Sequence, residues 1–489
     1  MHATPATGPS FLSTRRGRLT LALVCLAGFL DFIDTTIVNV ALPSIREQLG
    51  IPVGSLQWII SGYLLTYGGF LLVGGRAADL FGRRRMLIAG TALFGLSSLA
   101  GGLAASAAML IGARLAQGLG AAMMTPAALS TLTTSFAEGS DRVKAIGAWS
   151  GTIPLASALG VLAGGLLSQG PGWRWVFFVN LPVCAVVLAG ALRLLPGQRH
   201  RAPRKDFDLT GAILPTAAAL VLVYTLVKAP DIGWGTPRTI AGLAAAAVLV
   251  AAFAAWERRR ANPLFPMSIF KIRGLGAADA TQVIAQAGFL SMFFFVTLYL
   301  QDVLGLSPIQ AGAAYIPVTI GVGIASGVST KLLPRTGTRP LIVAGTVIGA
   351  IGVLWLSRIP AHGSYVTNVL PGLVVMALGL GATFVGVQTA ANAGVPADKA
   401  GLAAALISAS STLGGALGLA IFSAIAASRT HQLLAEHASR PAALTSGFGQ
   451  ALTACGLFLI AAAVIATRTA RTRAHAAPSH KPVPATDTA

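Results

Sequence analysis

Charge is what this sequence has least of. Lys, Arg, Asp and Glu make up 10% of its 489 residues, against about a quarter in an ordinary soluble domain. That excludes a water-soluble globular fold, whose surface needs far more polar cover. Cysteine is scarce too, with Cys25, Cys184 and Cys455 the three present. All lie in apolar runs, with no metal spacing and no disulfide framework. No G-x-x-x-x-G-K-[ST] occurs, so ATP is not the expected energy source. No polar stretch is long enough for a catalytic domain, and the seven histidines fall in loops and tails. These absences predict a chain that is not an enzyme and uses neither metal nor cofactor.

What is present is apolar and basic. Hydrophobic residues reach 54% and the formal net charge is +20, with a mean hydropathy of +0.74. A basic excess can point to nucleic acid, but here the basic residues form no single patch. They sit in short clusters between apolar runs, which is how loops on the cytoplasmic side of a membrane read. No nucleic-acid partner is expected; the partner is the lipid bilayer. The first apolar run is too long for a signal-peptide core, and a second span follows at once.

A helix needs roughly 20 apolar residues to cross a bilayer. Runs of that kind lie near 19–41, 55–75, 86–106, 109–131, 144–168 and 175–195, then 209–229 and 239–256. Six more lie near 276–300, 309–330, 340–358, 366–388, 400–427 and 447–467. The total is fourteen, all α-helical. An even count puts both termini on one face, and that face then receives 27 of the 35 basic residues. The opposite face receives Arg46, Arg174, Lys228, Arg238, Arg358, Arg429 and Arg440, and Arg114 alone remains inside. Dropping an early helix would scramble this asymmetry. The predicted layout is a cytoplasmic tail 1–18, a six-helix bundle 19–195, a linker 196–275 carrying helices 7 and 8, a second six-helix bundle 276–467 and a disordered cytoplasmic tail 468–489.

Against this apolar background a few polar residues stand out. The first span holds LDFIDTTIVNVALP, residues 30–43, with Asp31 and Asp34 three apart on one helix face. Charge in hydrocarbon costs several kcal/mol, so such residues face a bundle interior, a cavity or a partner. Asp34 and Arg114 each lie six or seven residues inside a span from the same face, about 10 Å deep at 1.5 Å per residue. Each is costly alone and tolerable as a pair. The pair reads either as a static structural contact or as a proton switch, in which protonation of Asp34 releases Arg114. Asp31, deeper on the same face, is the alternative proton carrier. Asp279, near the start of the ninth span, reads as a helix N-terminal acid. Candidate cavity residues are polar or aromatic positions within spans: Gln57, Trp58, Tyr63, Gln117, Asn180, Phe289, Phe293, Phe294, Tyr315, Phe384 and Gln388.

Between the second and third spans runs GGRAADLFGRRR, residues 74–85, in which Gly75, Asp79, Gly82 and Arg83 follow G-x-x-x-D-x-x-G-R. It reads as a tight hairpin, with Gly82 permitting the turn. KLLPRTGTRP, 331–340, is a degenerate counterpart that keeps Gly337 but lacks the acid, as two related halves would leave. The chain here resembles the 14-helix drug:proton antiporter branch of the major facilitator superfamily. Residues 74–85 look like that superfamily's cytoplasmic signature, and LDFIDTTIVNVALP looks like the branch's first-helix motif. RLAQGLGAAMMTP (114–126), WRWVFFVNLP (173–182) and YLQDVLGLSPIQAG (299–312) also resemble it, over about residues 20–467. GTIPLASALGVLAGG (151–165) resembles its fifth-helix antiport motif, keeping Gly160, Gly164 and Gly165 but with Val161 where the motif has proline; Pro154 lies earlier.

The resemblance implies two six-helix bundles around a substrate cavity, an inserted helix pair 7 and 8, and a conformational switch in the 74–85 loop. It implies that the fifth helix seals the cavity. The expected function is proton-coupled export of small amphipathic organic compounds by alternating access, a monomeric multidrug or antibiotic efflux protein of a bacterial plasma membrane. The alternatives are a dedicated exporter of one metabolite or self-made antibiotic, and a membrane scaffold or sensor that transports nothing.

Overall fold

A computed structural model describes residues 11–136, 140–196, 209–260, 274–392 and 400–469. The side chains of Asp79 and Pro154, and the tails 1–10 and 470–489, lie outside the described residues. Among the described residues fourteen long helices follow one another. The first six are α1 (Arg15–Leu49), α2 (Trp58–Phe81), α3 (Arg83–Gly102), α4 (Ala107–Ser135), α5 (Ser140–Gln169) and α6 (Trp175–Leu194). The next two are α7 (Leu209–Ile232) and α8 (Pro237–Arg259). The last six are α9 (Leu275–Leu298), α10 (Pro308–Thr336), α11 (Thr338–Leu356), α12 (Leu370–Asn392), α13 (Ala400–Ala435) and α14 (Arg440–Ala466). One π-helical turn, Tyr299–Val303, extends α9 and another, Tyr365–Val369, opens α12. The span expected at 309–330 breaks after Ala313 and resumes at Ile316.

Several helices outrun their apolar cores. The span expected at 19–41 starts at Arg15 and continues past Pro43 to Leu49. The one expected at 400–427 ends at Ala435. Hydropathy marks where lipid begins, whereas a helix ends where a cap stops it. Thr14 caps α1 by accepting a hydrogen bond from the Gly17 amide, and Gly50 closes it at φ +63°. The nearly fused third and fourth spans are separate, because Ser106 caps α4 through the Met109 amide.

The two halves echo each other. Gly82 joins α2 to α3 at φ +96°, and Gly337 joins α10 to α11 at φ +80°. Both are left-handed turns in which a Cβ would be strained.

Helices α1–α6 pack into one group and α9–α14 into another. The pairs α2 with α13 and α5 with α10 make the largest contacts between them, and α1 also touches α9 and the start of α10. The pair α7–α8 leans on that seam, with α7 touching α2 and α13. The apolar stretch of α8 is 11% buried whereas that of α9 is 72% buried, so α8 is peripheral and α9 central. The ends of α2, α4 and α6 meet the starts of α1, α3 and α5 on one face, here the terminal face. Arg16 donates there to Leu194 O, Arg83 to Thr134 and the Leu12 amide to Asp141. The opposite end is the distal face.

Candidate functional site

The polar residues of α1 meet α4. Asp34 and Arg114 form an ion pair at 2.5 Å, with the Asp34 and Arg114 side chains 0% and 1% exposed. Arg114 Nη1 also donates to Gln117 Oε1 at 2.7 Å, and Nε donates to the Ile59 carbonyl of α2 at 2.8 Å. The other Asp34 oxygen accepts from Gln117 Nε2 at 2.7 Å and from Asn180 Nδ2 of α6 at 2.8 Å. Both amides also reach Ser98 Oγ of α3, at 2.9 and 3.4 Å. Five helices therefore contribute to one network, in which α4 and α6 reach the Asp34 carboxylate of α1, while α2 and α3 hold its partners. Desolvating two ions is costly, and only a full set of further hydrogen bonds offsets the cost. The network supplies them.

Asp31 sits beside this pair. Tyr63 of α2 donates its hydroxyl to one Asp31 oxygen and Thr125 Oγ1 of α4 donates to the other at 3.2 Å. The Tyr63 ring lies under the Arg114 guanidinium, 4.3 Å from Cζ to the ring centre. That is cation–π distance. Tyr63 thus touches one acid with its hydroxyl and the other acid's partner with its face, so the two carboxylates share a neighbour.

The residues expected to line a cavity fall into different surroundings. Tyr63, Gln117 and Asn180 are buried in the ion-pair network. Gln57 is fully buried at the entry to α2. Phe293 and Tyr315 stack at 5.5 Å, and the Tyr315 hydroxyl meets Thr297 Oγ1 at 2.8 Å. Phe289 and Phe294 are buried, Phe289 against Gly349 of α11. Trp58 and Gln388 are half-buried. Phe384 is 43% exposed on the surface.

The glycines of α5 serve two neighbours. A Cβ on Gly164 would lie 2.8 Å from the Ile37 carbonyl, and one on Gly160 would meet Thr36, both on α1. A Cβ on Gly165 would lie 2.7 Å from Ile309 Cα of α10, across the seam. Val161, standing in the proline position, offers its carbonyl to Gly312 of α10. The 74–85 stretch, read from the sequence as a loop, is helical but for Gly82; within it Gly75 faces Pro126 of α4 and Arg83 Nη1 donates to Thr134 at 2.7 Å.

One pairing lies outside the expected set. Arg46, in the last turn of α1, grips both oxygens of Asp302 in the π-helical turn after α9, with Nη2 at 2.8 Å from Oδ1. Beside it Gln301 Nε2 donates to the Val40 carbonyl at 3.0 Å and Asn39 Nδ2 to Thr297 at 3.3 Å. Between α2 and α13, Ser61 Oγ reaches the Ala416 carbonyl at 3.4 Å. These four side-chain contacts between the two bundles all lie toward the distal face. Equal depth was the available signal, since Arg46 and Asp302 both follow spans ending on the distal side.

Comparison with known proteins follows this geometry. The sequence profile of the Major Facilitator Superfamily matches residues 24–419. The chain belongs to the Major Facilitator Superfamily. Curated relatives within it include a puromycin resistance protein of Streptomyces alboniger, 38% identical over 87% of this chain and 85% of that one. A cephamycin export protein of Amycolatopsis lactamdurans is 37% identical over 92% of both chains. A multidrug resistance protein of Mycobacterium tuberculosis is 35% identical over 86% of this chain and 78% of that one. Solved structures with this superfamily's fold include an inward-facing bacterial homologue of the lysosomal transporter Spinster, at TM-score 0.63, 19% identity, and 93% and 97% coverage of the two chains. A D-xylose–proton symporter matches at TM-score 0.62, 14% identity, and 92% and 97% coverage. The superfamily fold explains the two bundles and the α2–α13 and α5–α10 seams as one architecture.

Proposed function

We propose that this protein exports small amphipathic organic compounds in exchange for protons. It works as a monomer in the plasma membrane of a bacterium, with both termini cytoplasmic. The observation that carries the reading is the buried Asp34–Arg114 pair and its complete set of hydrogen bonds. A carboxylate balanced by one cation is a two-position element. Protonation removes the attraction that holds Arg114, and the bundle rebalances. The relatives named for puromycin resistance, cephamycin export and multidrug resistance support the direction and the class of cargo.

In this reading the layout is a bundle of 19–195, an inserted pair within 196–275, and a second bundle of 276–467. The side-chain contacts from α1 to α9 and from α2 to α13 lie toward the distal face, which supports a state closed on the outside. Protons reach Asp34 when that closure opens, with Asp31 and Tyr63 as helpers. Gly75, Asp79, Gly82 and Arg83 act as the conformational switch on the terminal face. Gly160, Gly164 and Gly165, with Pro154, keep α5 close to α1 and α10 and limit leak. A narrower cargo, a single self-made antibiotic, is the second reading, supported by the relative named for cephamycin export.

The test is accumulation of a broad compound panel in cells or reconstituted vesicles, with and without a protonophore. Export that collapses with the protonophore and with Asp34→Asn supports the reading. Proton-dependent export that survives Asp34→Asn removes Asp34 from the coupling role. A panel in which no compound changes its accumulation refutes multidrug export.

A further inference from the structure

The mechanism above makes no use of Asp279, the buried acid at the start of the second bundle. Asp279 is the fifth residue of α9, about 6 Å along the axis from its start on the terminal-face side. Its sequence position reads as a helix N-terminal acid, but the structure does not use it so. The first turn of α9 holds no acid, and Gly274 occupies the cap position with no side-chain bond. Asp279 instead faces α13, with the Ser410 side chain beside it. The residue is 8% exposed, and its Oδ1 has no hydrogen-bond partner. Around it are Ala278, Thr281 and Gln282, all buried.

No charge answers this acid among the described residues. The cations on helices packed against α9 are engaged or set elsewhere. Arg46 of α1 holds Asp302. Arg429 of α13 donates to Ser446 and Gln432, toward the distal face. Arg358 of α11 and Arg440 of α14 stand at distal helix ends. Arg339 stands at the terminal-face start of α11 and forms no ion pair with Asp279. The other acids nearby, Asp31 and Asp34 of α1, are held by Tyr63, Thr125, Arg114, Gln117 and Asn180. Glu436 of α13 accepts from Gln432 on the distal side. A carboxylate buried beside one hydroxyl and no cation pays most of its desolvation cost unrelieved. One proton removes that cost, because a neutral carboxyl group needs far less from its surroundings.

The neighbouring helix links the acid to the moving seam. Ser410 and Gly414 face α9, and a Cβ on Gly414 would meet Val283 of α9. Within the same turn of α13, Thr412 and Leu413 pack on Gly68 of α2, across the bundle interface. Parting α2 from α13 on the terminal face therefore disturbs the helix that covers Asp279. We propose that Asp279 is a second proton-binding site, in the second bundle, distinct from the Asp34–Arg114 pair. This rests on the proton-exchange reading above. The proton forms an O–H bond on the carboxyl group in the covered state and leaves to water as the terminal face opens.

The test uses the full chain in lipid vesicles and dicyclohexylcarbodiimide, an apolar reagent that adds to protonated carboxyl groups, with adducts located by peptide mass. Asp279 should carry the label, losing it as pH rises. Asp34, whose carboxylate is held by Arg114, should carry less label under the same conditions. Label on Asp279 no greater than on Asp34 across the pH range overturns the proposal. In transport, Asp279→Asn should flatten the dependence of rate on pH and Asp279→Glu should restore it; an unchanged profile in Asp279→Asn also overturns it. Asp279→Asn should melt no lower than the parent protein, because the amide leaves no charge to bury; a lower melting temperature would assign a structural role instead. If the protonophore leaves parental export untouched, the proton-exchange reading fails, and labelling still decides whether Asp279 binds a proton.

Discussion

Replacing Asp34 with Asn keeps the shape of the side chain and removes one charge. Arg114, 1% exposed, would retain the Ile59 carbonyl and Gln117 Oε1 as partners but no counter-charge. The new amide would also point a donor at Nη1, which is itself a donor. Removing one member of a buried ion pair costs about 3–5 kcal/mol. Arg114→Gln should cost a similar amount, since Asp34 would keep only the amides of Gln117 and Asn180. The double variant Asp34→Asn/Arg114→Gln removes both charges together, and its cost should fall below that of either single change. Unfolding free energies from dodecyl sulfate titration in mixed micelles, followed by tryptophan fluorescence, measure all three. Coupling of roughly 3 kcal/mol or more is expected, because contacting groups are strongly non-additive. If the two single costs simply add, the charges are not acting on each other and the reasoning fails. The double variant also divides structure from function. It should be stable yet unable to export in a proton-dependent way, and proton-dependent export by it would reduce the pair to a scaffold.

Other changes probe neighbouring parts. Tyr63→Phe removes the hydroxyl that Asp31 accepts but keeps the ring beneath Arg114. It should cost about 1–3 kcal/mol in unfolding free energy, and no loss would show that Asp31 does not depend on that bond. Gly118→Ala would push a methyl group into the Tyr63 carbonyl and Thr66 Oγ1, so melting temperature should fall by an amount equivalent to roughly 1–3 kcal/mol. Arg46→Ala should loosen the distal closure. A cysteine placed at Thr297, fully buried beside that closure, should then react about tenfold faster with a polar thiol reagent, for a loss of about 1.4 kcal/mol. Unchanged labelling would mean that Arg46 and Asp302 do not hold the bundles together.

The sequence revealed depth better than direction. Span count, the repeated glycine turns and the pairing of Asp34 with Arg114 were legible, because hydropathy and spacing report how far a residue lies along a helix. Which way a side chain turns was harder to read. A helix that meets lipid on one side and apolar neighbours on the other shows little hydrophobic contrast around its girth. Phe384 and Phe289 therefore looked alike, though one is exposed and the other buried. Gln117 and Asn180 were legible as polar residues in spans but not as ligands of the Asp34 carboxylate. Arg46 and Asp302 lie 256 residues apart, and only the docking of two bundles brings them together. Asp279 was visible as an acid near a helix start, while its missing counter-charge depended on where α13 lay.

The contact between α5 and α10 has a consequence for the poise of the molecule. Gly165 meets the backbone at Pro308 and Ile309, and Gly312 meets the Val161 carbonyl. Main chain rests on main chain, so closing this joint freezes few side-chain rotamers. A long side chain held in place costs up to ~2 kcal/mol, and here that cost is almost absent. Opening it also strands few hydrogen-bonding groups. A joint of this kind favours neither position strongly on its own account. In the proton exchange proposed above, the balance between the two positions would be left to a few charged groups, the Asp34–Arg114 pair first among them.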